Sequence, residues 1–301
     1  MNWFILALIA PFLWAITNHI DKYLISKQLE RIGVGSIIVF AAIVDLILIP
    51  VIIFIEPTVL RIDLISILWV LASGMFFVYY LFPYYKALET DEASVVAPLF
   101  QMIPVVSYFV GLVFLHETLT DRQLLGGLLI ILASIGISLE LKHKMRLKTK
   151  TFFLMLLSSI LIVAGAGIFK FVALEETFWS AIFWQNIGMI AASLLLLIKP
   201  SYRQQLKNLV VLRDKKLYLL MTFNELINIA AGMIISYSYL LAPLVLVQLV
   251  SSIQPLFVFV LGILLTRLIP QFNSENTNPK ILIQKFVFIL IIIAGTYFLL
   301  T

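Results

Sequence analysis

Apolar runs of about twenty residues recur along the whole of this chain, broken by short polar or charged stretches. This pattern constrains the fold more than any other feature, because a helical run of that length matches the hydrocarbon thickness of a bilayer. Ten such runs are legible, at about 3–24, 34–55, 64–86, 93–115, 122–141, 151–173, 178–198, 217–240, 243–268 and 281–300. In lipid, backbone polar groups must be hydrogen-bonded within the protein, so such runs read as helices. They use about two thirds of the 301 residues and leave little for an extramembrane domain. Composition agrees: 62% of residues are hydrophobic and 12% charged, against about a quarter charged in a soluble domain. A soluble enzyme and a disordered chain are excluded. The absence of cysteine excludes disulfides, thiolate metal sites and cysteine nucleophiles.

Charge gives orientation. Of 21 Lys and Arg residues, 18 fall on odd-numbered connections or their flanks, in groups such as Lys22–Arg31, Lys142–Lys150 and Lys199–Lys216. The even connections hold Arg61 and Arg122, and Lys170 lies inside the sixth run. The positive-inside rule then puts odd connections and their net positive charge in the cytoplasm and both termini outside. The basic balance needs no nucleic-acid partner. Met1-Asn2-Trp3 offers no positive n-region, so no cleavable signal peptide is expected.

The chain also repeats itself. Pro104 and Pro255 both sit inside long apolar runs, and Gly111 and Gly262 follow at the same separation. Lys22 near the end of the first run corresponds to Lys170 near the end of the sixth. A repeat of five spans is odd-numbered, so its second copy enters the membrane from the opposite side, as in many secondary transporters. The expected fold is an all-α integral membrane protein. Its ten transmembrane helices form two inverted five-helix repeats, 1–141 and 151–301, joined by the basic loop 142–150.

The motif residues carry a resemblance. Pro104, Gly111, then His116-Glu117-Thr118-Leu119-Thr120, Gln123, Gly126 and Gly136 form a helix–turn–helix signature. Tyr84-Tyr85-Lys86-Ala87-Leu88 precedes it, and Phe12-Leu13-Trp14-Ala15 lies in the first run. Together these residues resemble the EamA domain of the drug/metabolite transporter superfamily, which reads Gly-Glu-Arg-Leu-Thr at the turn. His116 and Ala15 depart from the glycines of that pattern. In the second half Thr266-Arg267-Leu268-Ile269-Pro270 replaces the Glu-bearing turn. The resemblance implies a transporter with a central cavity between two repeats and leaves the substrate open.

Ionisable groups inside spans are costly and therefore candidates for function. Asn224, Glu225 and Asn228 share one face of the eighth run and form the leading candidate. Glu225 could bind an amine or exchange a proton; the structural alternative is a helix–helix contact. His19, Asp21 and Lys22 end the first run as a gating or coupling cluster, or as an interfacial group with a snorkelling lysine. Lys170 could pair with Glu225, bind an anionic group or snorkel. Asp45 reads as an internal pairing partner, and Glu117 as a structural residue of the turn, bonded there or paired with Arg122. Tyr79, Tyr80 and Trp14 are candidate cavity walls. Gln101, Gln248 and Gln254 are candidate substrate contacts. Gln101 and Gln254 flank Pro104 and Pro255, which free backbone carbonyls and serve as hinges.

The function these features predict is secondary transport of a small polar metabolite, such as an amino acid, by alternating access. Protons are a candidate coupling ion, the protein is a monomer or homodimer, and its place is a bacterial inner membrane. No cofactor, metal or nucleic acid is expected. Two alternatives remain open to such a chain: a flippase for a lipid-linked sugar on the same fold, and an integral-membrane enzyme. The second is disfavoured because His19, His116 and His143 are isolated and there is no nucleotide-binding motif.

Overall fold

The computed structural model describes residues 2–90, 96–138, 149–268 and 279–301, and among these the regular structure is helical throughout. Most of the basic loop 142–150, the boundary at 141 and most of 271–280 lie outside the described residues. The helices are α1 (Asn2–Ile32), α2 (Val34–Asp45), α3 (Leu48–Ile55), α4 (Leu64–Tyr79), α5 (Leu81–Thr90), α6 (Met102–Phe114) and α7 (Asp121–Ser138). They continue as α8 (Thr149–Glu175), α9 (Phe178–Leu195), α10 (Pro200–Leu212), α11 (Lys215–Leu241), α12 (Leu244–Ser251), α13 (Gln254–Leu268) and α14 (Pro279–Leu300).

Eight helical stretches among the described residues are long and apolar enough to cross a membrane: Trp3–Leu24, Gly35–Ile55, Leu64–Ala87, Thr149–Glu175, Phe178–Ile198, Lys215–Leu241, Leu244–Leu268 and Leu282–Leu300. Each coincides with an expected span. The fourth expected span is the shorter apolar helix Pro98–Phe114, and the fifth is α7. The chain is therefore a multi-pass membrane protein.

Local chemistry sets the ends. Asp63 accepts from the Ile65 amide at 2.9 Å, Thr177 from Ser180 at 3.1 Å, and Asp214 from Lys216 and Leu217 at 2.9 and 3.2 Å. Each satisfies amides that open a helix. Before α7, Thr120 and Gln123 cap each other reciprocally, amide to side chain, at 3.0 and 3.3 Å. His116 adopts a left-handed conformation, φ 53°, at the position where the EamA pattern has glycine. The sequence pattern alone does not show α10. It is a short helix in the basic connection, anchored by buried Leu209 and by Gln205 Oε1, which accepts from the Gly35 amide at 2.8 Å.

The expected continuous spans are interrupted at four places. The second breaks between α2 and α3, and the third at Tyr80. The fourth begins as a 3₁₀ turn, Ala97–Gln101, just before Pro104, and the ninth breaks between α12 and α13, just before Pro255. Proline cannot donate to the preceding turn, which explains a break in both matched helices.

Two glycine contacts fix the packing. A Cβ on Gly126 of α7 would lie 2.6 Å from the Gly295 carbonyl oxygen, and one on Gly295 of α14 would lie 2.9 Å from the Gly126 carbonyl oxygen. Gly74 of α4 and Gly188 of α9 also allow close backbone approach, Gly74 against the Gln185 carbonyl and Gly188 against the Leu71 carbonyl. Small residues let membrane helices approach where burial of apolar surface provides no driving force. Ser73 adds a bond to the Gly165 carbonyl at 2.8 Å and accepts one from Gln185 at 2.8 Å. The main core centres on α8 and α12, with Phe169 and Leu244 fully buried, and Met155 anchors a smaller cluster with Ala87 and Val96.

Candidate functional site

α1 packs along α11, and their polar residues meet. The Asn224 side-chain amide donates to Asp21 Oδ1 at 2.7 Å, across 203 residues of sequence. Glu225 is held by a hydrogen bond from Asn228 one turn further along α11. Asp21 and Asp45 both lie within electrostatic reach of Glu225. Asp45 ends α2 and is buried; Asn186 of α9 fixes its backbone carbonyl at 3.1 Å. Tyr80, Tyr84 and Tyr85 stand around Asp21 from α5 and the turn before it. Carboxylates from three helices thus converge on one region, walled by tyrosines.

Further along α11, Gly232 and Ser236 continue the face of Asn228 at four-residue steps. A Cβ on Gly232 would meet no atom within 4 Å, although the residue is half-buried. From Glu225 to Ser236 this stripe runs about 16 Å at the helical rise. Beyond it, the Gln248 amide donates to the Tyr239 hydroxyl at 3.0 Å, and both are buried.

Lys170 does not meet Glu225. Its ammonium pairs with Glu117 and donates to the Ala242 carbonyl at 2.7 Å, while Glu117 Oε2 accepts from the Leu244 amide at 2.7 Å. Glu117 therefore serves neither Arg122 nor its own turn. It ties the end of α6 to α8 and to the α11–α12 junction. Proximity explains the outcome: α6 and α8 run side by side, which brings these ends together. A buried ammonium needs a nearby anion, and Glu117 is the one that packing supplies.

The other expected site residues disperse. His19 is buried, and its Nε2 donates to the Val258 carbonyl of α13 at 3.0 Å. Its role in the structure is an α1–α13 tie. Gln101 is buried, and its amide donates to the Ser252 carbonyl at 3.3 Å while Oε1 has no partner. Ser252 lies 151 residues after Gln101, and the bond joins the two helical stretches that break before a proline. Pro104 is buried; Gln254 and Pro255 are half-buried at the start of α13. Tyr79 leans on Phe82 at 6.0 Å, and Trp14 packs into the main core. The structure thus brings Asp21, Asn224, Glu225 and Asn228 together with Tyr80. It adds Asp45, Tyr84, Tyr85 and Gly232, and it separates Lys170, His19 and the three glutamines from that group. Asp45 carried a visible signal, a charge in mid-span. Gly232 carried none, since the space beside a glycine is a property of its neighbours.

Residues 1–139 match the model of the EamA-like transporter family. The first half of the chain is EamA-like. That match bears out the resemblance carried by Tyr84–Ile137. No curated protein matches it. A solved crystal structure, described simply as that of a protein, covers 99% of this chain with 95% of its own length, at a TM-score of 0.71 and 14% identity. At that identity the likeness shows the fold alone.

Proposed function

We propose that this EamA-like chain is a secondary transporter that moves a small polar metabolite by alternating access. In this reading its ten helices form two inverted repeats, 1–141 and 151–301, around a polar region between them. The observation that carries the proposal is the Asp21–Asn224–Glu225 contact, in which the first helix of one half meets the third helix of the other. The packing supports the symmetry. α1 lies on α11 as α8 lies on α4 and α5, α7 faces its counterpart α14, and α6 faces α12 of the span that corresponds to its own. A two-fold relation between halves exchanges these pairs and puts matched residues such as Gln101 and Ser252 in contact.

Orientation follows the charge count, with odd connections cytoplasmic in a bacterial inner membrane. Asp21 and Glu225 then lie in the cytoplasmic half, and the Lys170–Glu117 pair closes the outer side. A carboxylate in that setting can exchange a proton for substrate. One chain supplies both halves, so a monomer suffices. Flux of a labelled solute panel into proteoliposomes under an imposed pH gradient tests the reading. Wild type should accumulate at least one solute class against its gradient and Glu225→Gln should not; equal flux in both would remove Glu225 from the mechanism.

A specific observation favours a second reading. A groove of ≈ 360 Å³ between α6, α7 and α8 is lined by apolar side chains and Gln101, with Phe109 at its rim 59% exposed. An amphiphile could be carried through such a lateral opening. Flux of a short-chain fluorescent lipid, tested in the same vesicles, decides between the two.

A further inference from the structure

The three carboxylates call for more than one positive charge. Asp21, Asp45 and Glu225 come from α1, α2 and α11, and the residues within electrostatic reach of Glu225 include both other acids. They are not gathered as a metal shell; no such group occurs among the described residues. Asn224 is more than nine-tenths buried, and its Oδ1 has no hydrogen-bond partner although its Nδ2 is committed to Asp21. A buried acceptor left open beside carboxylates is expensive unless a donor fills it. The small cavity that Asn224 and Glu225 share is otherwise walled by Leu24, Ile37, Phe40 and Met221. The cavity therefore sets two polar side chains against a hydrocarbon wall, with Asp21 and Asp45 nearby.

We propose that this site takes an organic dication, a diamine or polyamine whose ammonium groups are separated by a few methylenes. This deepens the transporter reading and rests on it. One ammonium lies at Asp21 and Asn224 Oδ1, the other between Glu225 and Asp45, and the methylenes lie on the apolar wall. Tyr80, Tyr84 and Tyr85 add ring faces and hydroxyls near the Asp21 end. In this conformation the shared cavity has ≈ 10 Å³, about enough for one water. Binding thus requires α1, α2 and α11 to part, which is the movement that transport itself demands.

The test measures binding of butane-1,4-diamine, spermidine, butylamine and a neutral zwitterion to the full-length protein in detergent. Calorimetry and the thermal midpoint are the readouts. Wild type should bind the diamine at least about tenfold more tightly than butylamine, as expected for one further charged hydrogen bond. Asp45→Asn should erase that advantage and leave butylamine within about threefold of wild type. Glu225→Gln should weaken the diamine by about tenfold. If either variant melts early without ligand, the wild-type preference for diamine over butylamine decides alone. Equal binding of butylamine and diamine would overturn the proposal. So would a zwitterion whose binding depends on Glu225 while the diamine does not bind, a result that leaves the transporter reading intact. Absence of flux for every solute in proteoliposomes would overturn both.

Discussion

Removing the charge of Glu117 should cost this protein much of its stability, although Glu117 lies far from the carboxylate cluster. The side chains of Lys170 and Glu117 are 8% and 11% exposed, so the pair is essentially dry. Glu117→Gln keeps an acceptor for the Leu244 amide but leaves a buried ammonium with only neutral partners, Ala242 and the new amide. Breaking a buried pair from one side costs about 3–5 kcal/mol, because the surviving charge is uncompensated. Lys170→Met leaves the complementary defect and should cost a similar amount. The double variant removes both charges and should recover a large part of the loss, with a coupling of at least about 2 kcal/mol. Reversible unfolding in mixed detergent micelles measures all four corners of the cycle. Single variants within about 0.5 kcal/mol of wild type, with additive effects, would refute the reasoning. They would mean that the ammonium escapes to water and that the pair does not hold α6, α8 and the α11–α12 junction together.

Gly295→Ala should destabilise by about 1–3 kcal/mol through overpacking against α7, whereas Gly232→Ala should stabilise by about 0.5–1 kcal/mol; unfolding midpoints check both. Gly232→Leu should fold normally and block solute flux, because it fills space beside the polar stripe; unchanged flux would take that space out of the pathway. His116→Gly should stabilise by about 0.5–1 kcal/mol by relieving the left-handed residue, read as a raised unfolding midpoint, and a lowered midpoint would show that the imidazole does something the backbone geometry does not reveal. Transport should depend on pH in wild type and lose that dependence in Glu225→Gln, read as initial rates across a pH series.

Length and apolarity made the helices legible, because a bilayer leaves a chain little choice of structure. Pro104 and Pro255 were legible as hinges, since a missing N–H is a property of one residue, but the breaks just before them were not. Asn224, Glu225 and Asn228 share a face by spacing alone. Partners were harder. Lys170 and Glu117 are 53 residues apart, and nothing local says that the ends of α6 and α8 coincide. Asp45 was readable as an unusual charge, but its neighbour Glu225 depends on how α2 crosses α11. The helix α10 was masked by its basic composition, since its buried face amounts to little more than Leu209.

The absence of cysteine makes the alternating-access account open to direct test. A single Asn228→Cys substitution places one thiol on the polar stripe of α11. Membrane-impermeant maleimide, applied from the cytoplasmic side and from the outer side of sealed vesicles, should label it from both. A transported solute should shift the ratio of the two rates in opposite directions. Labelling from one side only, whatever the solute, would contradict the account.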